Sequence, residues 1–217
     1  MEPQISGKLN NFFSRFKKLS FKKGRTILRA DDKPKGVLYL KKGYVRLYSI
    51  SGNAQELTLI IFKAEDFFPM MWTINDTPNT YYLEAMTDTE VYQAPRREFL
   101  TFIKDNAEVL FDINSRILTR FGGVLSRMEH AIFGHAQSKV ASIILICAER
   151  FGVKDKNGIL IPVPLTHQDI ANLIGVARET VSIEMEKLQQ KGLIAHRGKN
   201  LVVKDMQKLK GESVLET

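Results

Sequence analysis

The sequence predicts an α+β protein in which strands come first, helices follow, and one long helix divides them. Three observations carry this. Short β-branched and aromatic runs separated by turn residues fill residues 17–95. A single apolar stripe at steps of three and four runs through 105–133. Residues 165–191 read as two short helices around a glycine. With 217 residues, 44% apolar and 26% charged, the chain has the composition of one large or two small globular domains, which argues against disorder.

Residues 5–16 form an amphipathic helix with Ile5, Leu9, Phe12, Phe13 and Phe16 on one side. The strands follow. Residues 37–40 end at Lys42-Gly43, residues 44–50 alternate and stop at Ser51-Gly52-Asn53, and residues 56–62 and 89–94 are two more. Short strands at regular spacing imply a small antiparallel barrel or roll. In the long helical stretch the stripe includes Ile113, Ile117, Phe121, Val124, Leu125 and Met128. Such a stripe needs a surface to cover it, either the chain's own barrel or a twin helix. Its near-heptad spacing and charged flanks favour the twin. Gly122-Gly123 interrupts the stretch at a cost of about 1 kcal/mol per glycine relative to alanine, and marks a close approach or a hinge. Residues 137–151 are a further helix, 155–158 a turn and 159–163 an edge strand. The expected domain boundary lies near Phe133-Gly134-His135, giving domains 1–134 and 135–217.

The most informative segment is Leu165 to Lys191. Thr166 can cap a helix beginning at His167, and Asp169 at its third position suits that end. Gly175 permits a sharp turn and Val176 plugs between the helices. A second helix runs from about Ala177 to Gln190 with Val181, Met185 and Leu188 inward. Two short helices joined by a glycine turn describe a helix-turn-helix. The second helix leaves Arg178, Glu179, Ser182 and Ile183 on its outer, N-terminal side, the end that enters a DNA major groove. Arginine can donate two hydrogen bonds to guanine, and glutamate can accept from cytosine N4. Beyond Gly192, residues 193–196 and 200–203 flank Arg197-Gly198-Lys199, a hairpin or wing with two cations suited to phosphates. The elements sum to a small antiparallel barrel or roll, a long helix whose stripe needs covering, and a C-terminal helix-turn-helix followed by a hairpin or wing.

On these residues, above all Gly175 through Ser182 followed by Leu188 and Gly192-Leu193-Ile194, the chain resembles the cyclic-AMP receptor protein and fumarate–nitrate regulator (CRP/FNR) family of bacterial transcription factors along essentially its whole length. The resemblance implies an N-terminal antiparallel β-roll (cupin-like), a long dimerisation helix and a C-terminal winged helix-turn-helix, in a homodimer whose recognition helices read the two halves of a near-palindromic operator in double-stranded DNA. It implies base-reading roles for Arg178, Glu179 and Ser182, and phosphate contacts for Thr166, His167, Gln168, Thr180, Arg197 and Lys199. The departure is Ile183, where the family usually carries arginine. An isoleucine touches at most a thymine methyl, so the half-site is expected to differ.

Cyclic-nucleotide-binding relatives use a Gly-Glu pair and a later Arg to hold sugar and phosphate. Here Pro69-Met70 and Asn79 stand at those places. A phosphate needs a cation or several N–H donors, and this stretch supplies no cation. Cyclic nucleotide dependence is therefore not expected. Phe68, Met70, Trp72, Tyr81 and Tyr82 either fill the roll or line a pocket for an apolar or aromatic effector, whose identity the sequence leaves open.

Charge is uneven. The chain carries +8 overall, but residues 1–46 hold 13 basic and 3 acidic side chains, against 12 and 9 in residues 136–217. The N-terminal surplus reads as a solvated face, or as a contact to flanking DNA or RNA polymerase. The lone Cys147 lies among Ile143, Ile144, Leu145 and Ile146, which suggests a buried inert thiol and excludes an iron–sulfur ligand set. His130 and His135 are poorly spaced for a shared metal, and Glu184 and Glu186 look solvated. No metal, cofactor or catalytic motif is expected, so the chain reads as a non-enzyme. No signal peptide or membrane-length apolar run is visible, and the expected location is the cytoplasm. A sensor module whose winged helix binds protein remains the other class.

Overall fold

In a computed structural model, residues 3–213 are described, except the side chains of residues 130, 131 and 133. The chain divides into two compact units, Met1–Ser51 with Thr58–Arg120 and Gly52–Leu57 with Phe121–Thr217.

The first unit opens with α1 (Pro3–Phe13) and continues through β1 (Lys17–Phe21), β2 (Thr26–Leu28), β3 (Val37–Lys42), β4 (Val45–Ile50), β5 (Glu56–Phe62), β6 (Phe67–Phe68), α2 (Met70–Asn75), β7 (Tyr82–Ala85), β8 (Thr89–Ala94) and α3 (Arg96–Asp105). The strands form two antiparallel four-stranded sheets, ordered β1-β8-β3-β6 and β2-β7-β4-β5. This is the expected roll.

Two cores explain why its strands read as solid apolar runs. Side chains alternate across a strand, so a strand buried on both faces shows no polar positions. In β3, Leu38 and Leu40 join Phe62, Phe68, Leu83 and Val91 in one core. Val37 and Tyr39 face the other way, into a second core with Phe12, Phe13, Phe67 and Phe99. Phe13 and Tyr39 stack with ring centroids 4.6 Å apart.

The apolar stretch from 105 begins inside α3, which is a separate helix. Asn106 leaves helical geometry at φ −130°, and α4 runs from Ala107 to Phe133. Phe99 and Ile103 of α3 are buried in the second core. One member of the expected twin-facing stripe is corrected here. Ile113 is 2% exposed and belongs to that same core, with Val109. The periodicity located it on an apolar helix, but could not tell the roll-facing side from its neighbour. Arg116 and Arg120 lie on the roll-facing side too. Arg120 pairs with the buried Asp66, and Arg116 with Asp112 at 2.6 Å.

The second unit continues with α5 (Ala136–Phe151), β9 (Val153–Asp155), β10 (Gly158–Ile161), α6 (His167–Ile174), α7 (Arg178–Gln190), β11 (Ile194–Arg197), β12 (Asn200–Val203) and α8 (Met206–Gly211). Its sheet order is β11-β12-β10-β9. The strand expected at an edge, 159–163, is therefore interior: β10 pairs with β12 and β9. The short β9, unseen in the sequence, takes the edge. Cys147 is buried in α5, and burial pushes its thiol pKa up to about 12. The His130 side chain, paired with His135 in the sequence reading, lies outside the described residues. No helix among the described residues is long and apolar enough to cross a membrane.

Candidate nucleic-acid interface

The two helices expected between Leu165 and Lys191 form as α6 and α7, and their starts are built differently. Thr166 caps α6 through a capping box. Its hydroxyl accepts from the Asp169 backbone N–H at 3.1 Å, and the Asp169 carboxylate accepts from the Thr166 N–H at 2.8 Å. Gly175 ends the helix at φ +69°, the left-handed geometry that only glycine adopts cheaply, and its N–H donates to the Ala171 carbonyl. The chain can then start α7 after two residues. There the N-cap is Ala177, which offers no side-chain acceptor.

Val181, Met185 and Leu188 pack inward as expected, and so does Glu184, which is 8% exposed rather than solvated. Steps of three and four from Val181 put it on the inner face, where Lys187 reaches its carboxylate at 2.9 Å. Glu186 is exposed.

The opposite face carries Arg178, Glu179 and Ile183, all exposed, with Ile183 at 55%. The side chains of Arg178 and Glu179 have no hydrogen-bond or ion-pair partner among the described residues. Two long polar side chains and one aliphatic one thus project from the first turns of α7. Ser182, partly buried, behaves otherwise. Its hydroxyl donates to the Arg178 carbonyl at 3.1 Å and lies 2.8 Å from His167 Nδ1. Thr180 is partly buried.

Of the phosphate candidates, Lys199 stands exposed at the tip of the β11–β12 hairpin. Several others are engaged within the unit. The Thr166 hydroxyl is committed to Asp169, and Gln168 donates to Asn172 at 2.7 Å. Arg197 donates to Asp155 at 2.8 Å, which holds that carboxyl below its usual pKa. The Thr166–Asp169 contact is the cap read from the sequence and Gln168–Asn172 spans one helical turn, whereas the Arg197–Asp155 pair was invisible in the sequence because the sheet brings it together. The His167 imidazole lies beside His196, ring centroids 6.5 Å apart. Its pKa is lowered, first by burial and then by the positive fields of His196 and Arg178.

The residues expected to line an effector pocket do not share one cavity. Phe68 is fully buried in one core of the roll and Trp72 lies in the other, with Met70 packed against both. Tyr81 packs on the first core, and Tyr82 stacks on Tyr48 at 5.3 Å. Asn79, at the place of the relatives' arginine, is buried and donates to the Arg29 and Tyr81 carbonyls at 2.8 Å each. The grouping as a single pocket is thus corrected: β-alternation at Phe67-Phe68 splits these side chains between two faces of one sheet.

The remaining expected residues, Ile117, Phe121, Leu125 and Met128, form an uncovered apolar face on α4. Phe121 is 57% and Met128 56% exposed, while Val124 is partly buried. Ile132, also on the stripe read from the sequence, extends that face, and Leu118, not singled out there, widens it.

A β-roll, a long helix and a winged helix-turn-helix with outward polar side chains define a DNA-binding transcription regulator built on a sensor-type roll. The comparisons agree. Residues 18–106 match the cyclic nucleotide-binding domain and residues 138–212 the Crp-like helix-turn-helix domain. The chain is similar to the global nitrogen regulator of Nostoc sp. (strain PCC 7120), 30% identical over 190 residues, 85% of this chain and 83% of that one. It is also similar to a CRP-like cAMP-activated global transcriptional regulator of Mycobacterium tuberculosis, 24% identical over 192 residues, 88% and 85% of the two chains. Among solved structures, FixK2 from Bradyrhizobium japonicum matches at TM-score 0.79 with 19% identity, over 93% of this chain and 99% of that one. The chain belongs to the CRP/FNR family and is a transcription regulator with a helix-turn-helix DNA-binding domain.

Proposed function

We propose that this regulator acts as a homodimer that reads a near-palindromic operator, without dependence on a cyclic nucleotide, and that it catalyses no reaction. The observation that carries the DNA-reading part is the exposed, unpaired Arg178 and Glu179 on the first turn of α7. Bidentate arginine and an acceptor glutamate are side chains suited to base edges. Arg178, Glu179 and Ile183 are the base-reading residues, and Lys199 is the best-placed phosphate contact.

The uncovered face of α4, from Ile117 to Ile132, supports the dimer. A helix with this much exposed apolar surface is stabilised by pairing with its copy. Two copies would set the recognition helices about one helical turn of DNA apart, roughly 34–36 Å. Independence from cyclic nucleotides rests on three features of the roll. Pro69 lacks an N–H, Asn79 is consumed by backbone carbonyls, and the cation beside Met70, Arg120, is paired with Asp66. An apolar or aromatic effector is the second reading. It lacks support from the geometry, because Phe68 and Trp72 are already packed in separate cores.

Selection of random duplex DNA at near-physiological salt tests this function. The expected result is a two-fold-symmetric motif whose affinity is unchanged by added cyclic AMP. A tenfold or greater tightening with cyclic AMP overturns the nucleotide-independent part, and an asymmetric single half-site overturns the dimer.

A further inference from the structure

The structure places a small hydrogen-bonded chain behind the base-reading face. A serine hydroxyl has one proton, and that of Ser182 is directed at the Arg178 carbonyl, 3.1 Å away. With the proton on that carbonyl, its oxygen accepts from His167 Nδ1, 2.8 Å away, and this arrangement corresponds to the neutral imidazole tautomer that carries its proton on Nδ1. The hydroxyl expected to read a base is thus occupied on both sides, joining the first turn of α6 to the first turn of α7.

We propose that His167 is a positioning residue for DNA reading: it holds Ser182 against the Arg178 backbone, and so sets the first turn of the recognition helix, while Ser182 reads no base itself. This rests on the assignment of Arg178 and Glu179 as base readers.

Proton linkage follows from the same geometry. The charged and titratable groups facing the imidazole are Arg178 from α7 and His196 from β11, and on its own helix Asp169 is turned to Thr166. Both facing groups, with burial, favour the neutral ring in the free protein. A protonated ring carries a second N–H, at Nε2, and a DNA phosphate that accepts from it would favour the charged form. The complex then holds more protons than the free protein, so affinity rises as pH falls through the histidine range.

The experiment uses the full-length protein and the operator obtained by selection. It compares that operator with versions altered at the bases Arg178 reads, at fixed salt, from pH 6.0 to 8.5. His167→Ala is expected to lose about fivefold in base discrimination, the worth of one hydrogen bond. Ser182→Ala is expected to lose the same amount, and the double variant no more than either single one. His167→Asn, whose amide N–H stands near the place of Nδ1 but cannot titrate, is expected to restore discrimination and flatten the pH dependence of affinity. Wild-type discrimination in His167→Ala, additive losses in the double variant, or an unchanged pH profile in His167→Asn each overturns the proposal. Should His167→Ala fail to fold, His167→Asn still decides through its pH profile. Failure of selection to yield any motif strikes the DNA-reading assignment instead, and the two failures are thereby distinct.

Discussion

Residues 66–82 of the roll and residues 178–183 of the winged helix hold two of the most distinctive side-chain runs in the chain, and use them in opposite ways. The roll turns Phe67, Phe68 and Trp72 inward and leaves Met71 exposed: Phe68 packs on Phe62 with centroids 5.0 Å apart, Trp72 sits under the Arg96 guanidinium at 5.7 Å, and Asn79 satisfies two carbonyls. The recognition helix keeps Arg178, Glu179 and Ile183 pointing out, while Val181, Met185 and Leu188 hold the helix in place. Distinctive residues alone do not make a binding site. What separates the two regions is whether the protein already satisfies those side chains.

The comparison breaks most severely if Phe68 proves dispensable. Phe68→Ala is expected to cost about 3–5 kcal/mol of stability, as for a buried aromatic in a close-packed core, read from urea denaturation. A loss below about 1 kcal/mol would mean that the ring lines open space, and an effector pocket would return to consideration. Arg178→Ala is expected to do the reverse. Stability stays within about 0.5 kcal/mol, as for an exposed position, while discrimination at its base falls by about 1–3 kcal/mol in competition binding. Retained discrimination would remove the residue from the reading face. Smallest is Thr166→Ala, expected to cost about 1 kcal/mol through loss of the α6 cap, with base preference retained. A large loss of DNA affinity at constant stability would instead give the Thr166 hydroxyl a phosphate to bind.

Much of this architecture was legible from residue order. Thr166, Asp169, Gly175 and the inward Val181, Met185 and Leu188 are local signals, each within a few residues of its partner, and they define the helix-turn-helix without tertiary information. The strands of the roll were visible at β3, β4, β5 and β8 because their runs are long and β-branched. Long-range facts were not visible. Ile113 and Ile117 share a helix and a periodicity, yet one is buried by the roll and the other is exposed. The 159–163 strand looked like an edge because β9, only three residues long, carries no periodic signal. Glu184 looked solvated beside Glu186, although helical steps from Val181 place it inside. In the site, the Thr166–Asp169 cap was legible from spacing and Gln168 reaches Asn172 one helical turn on, whereas the His167–Ser182 and Arg197–Asp155 contacts join residues distant in sequence that spacing cannot report.

The four consecutive buried residues of β3 have one further consequence. Because Val37 and Tyr39 serve one core and Leu38 and Leu40 the other, inserting or deleting a single residue there would send each side chain into the wrong core at once. Substitutions of similar size at these positions are individually survivable, but a change of length is not. The strand therefore acts as a ruler for the first unit. Related chains that differ in length must take up the difference in connecting segments such as residues 51–55, leaving residues 37–40 as a gap-free anchor for aligning them.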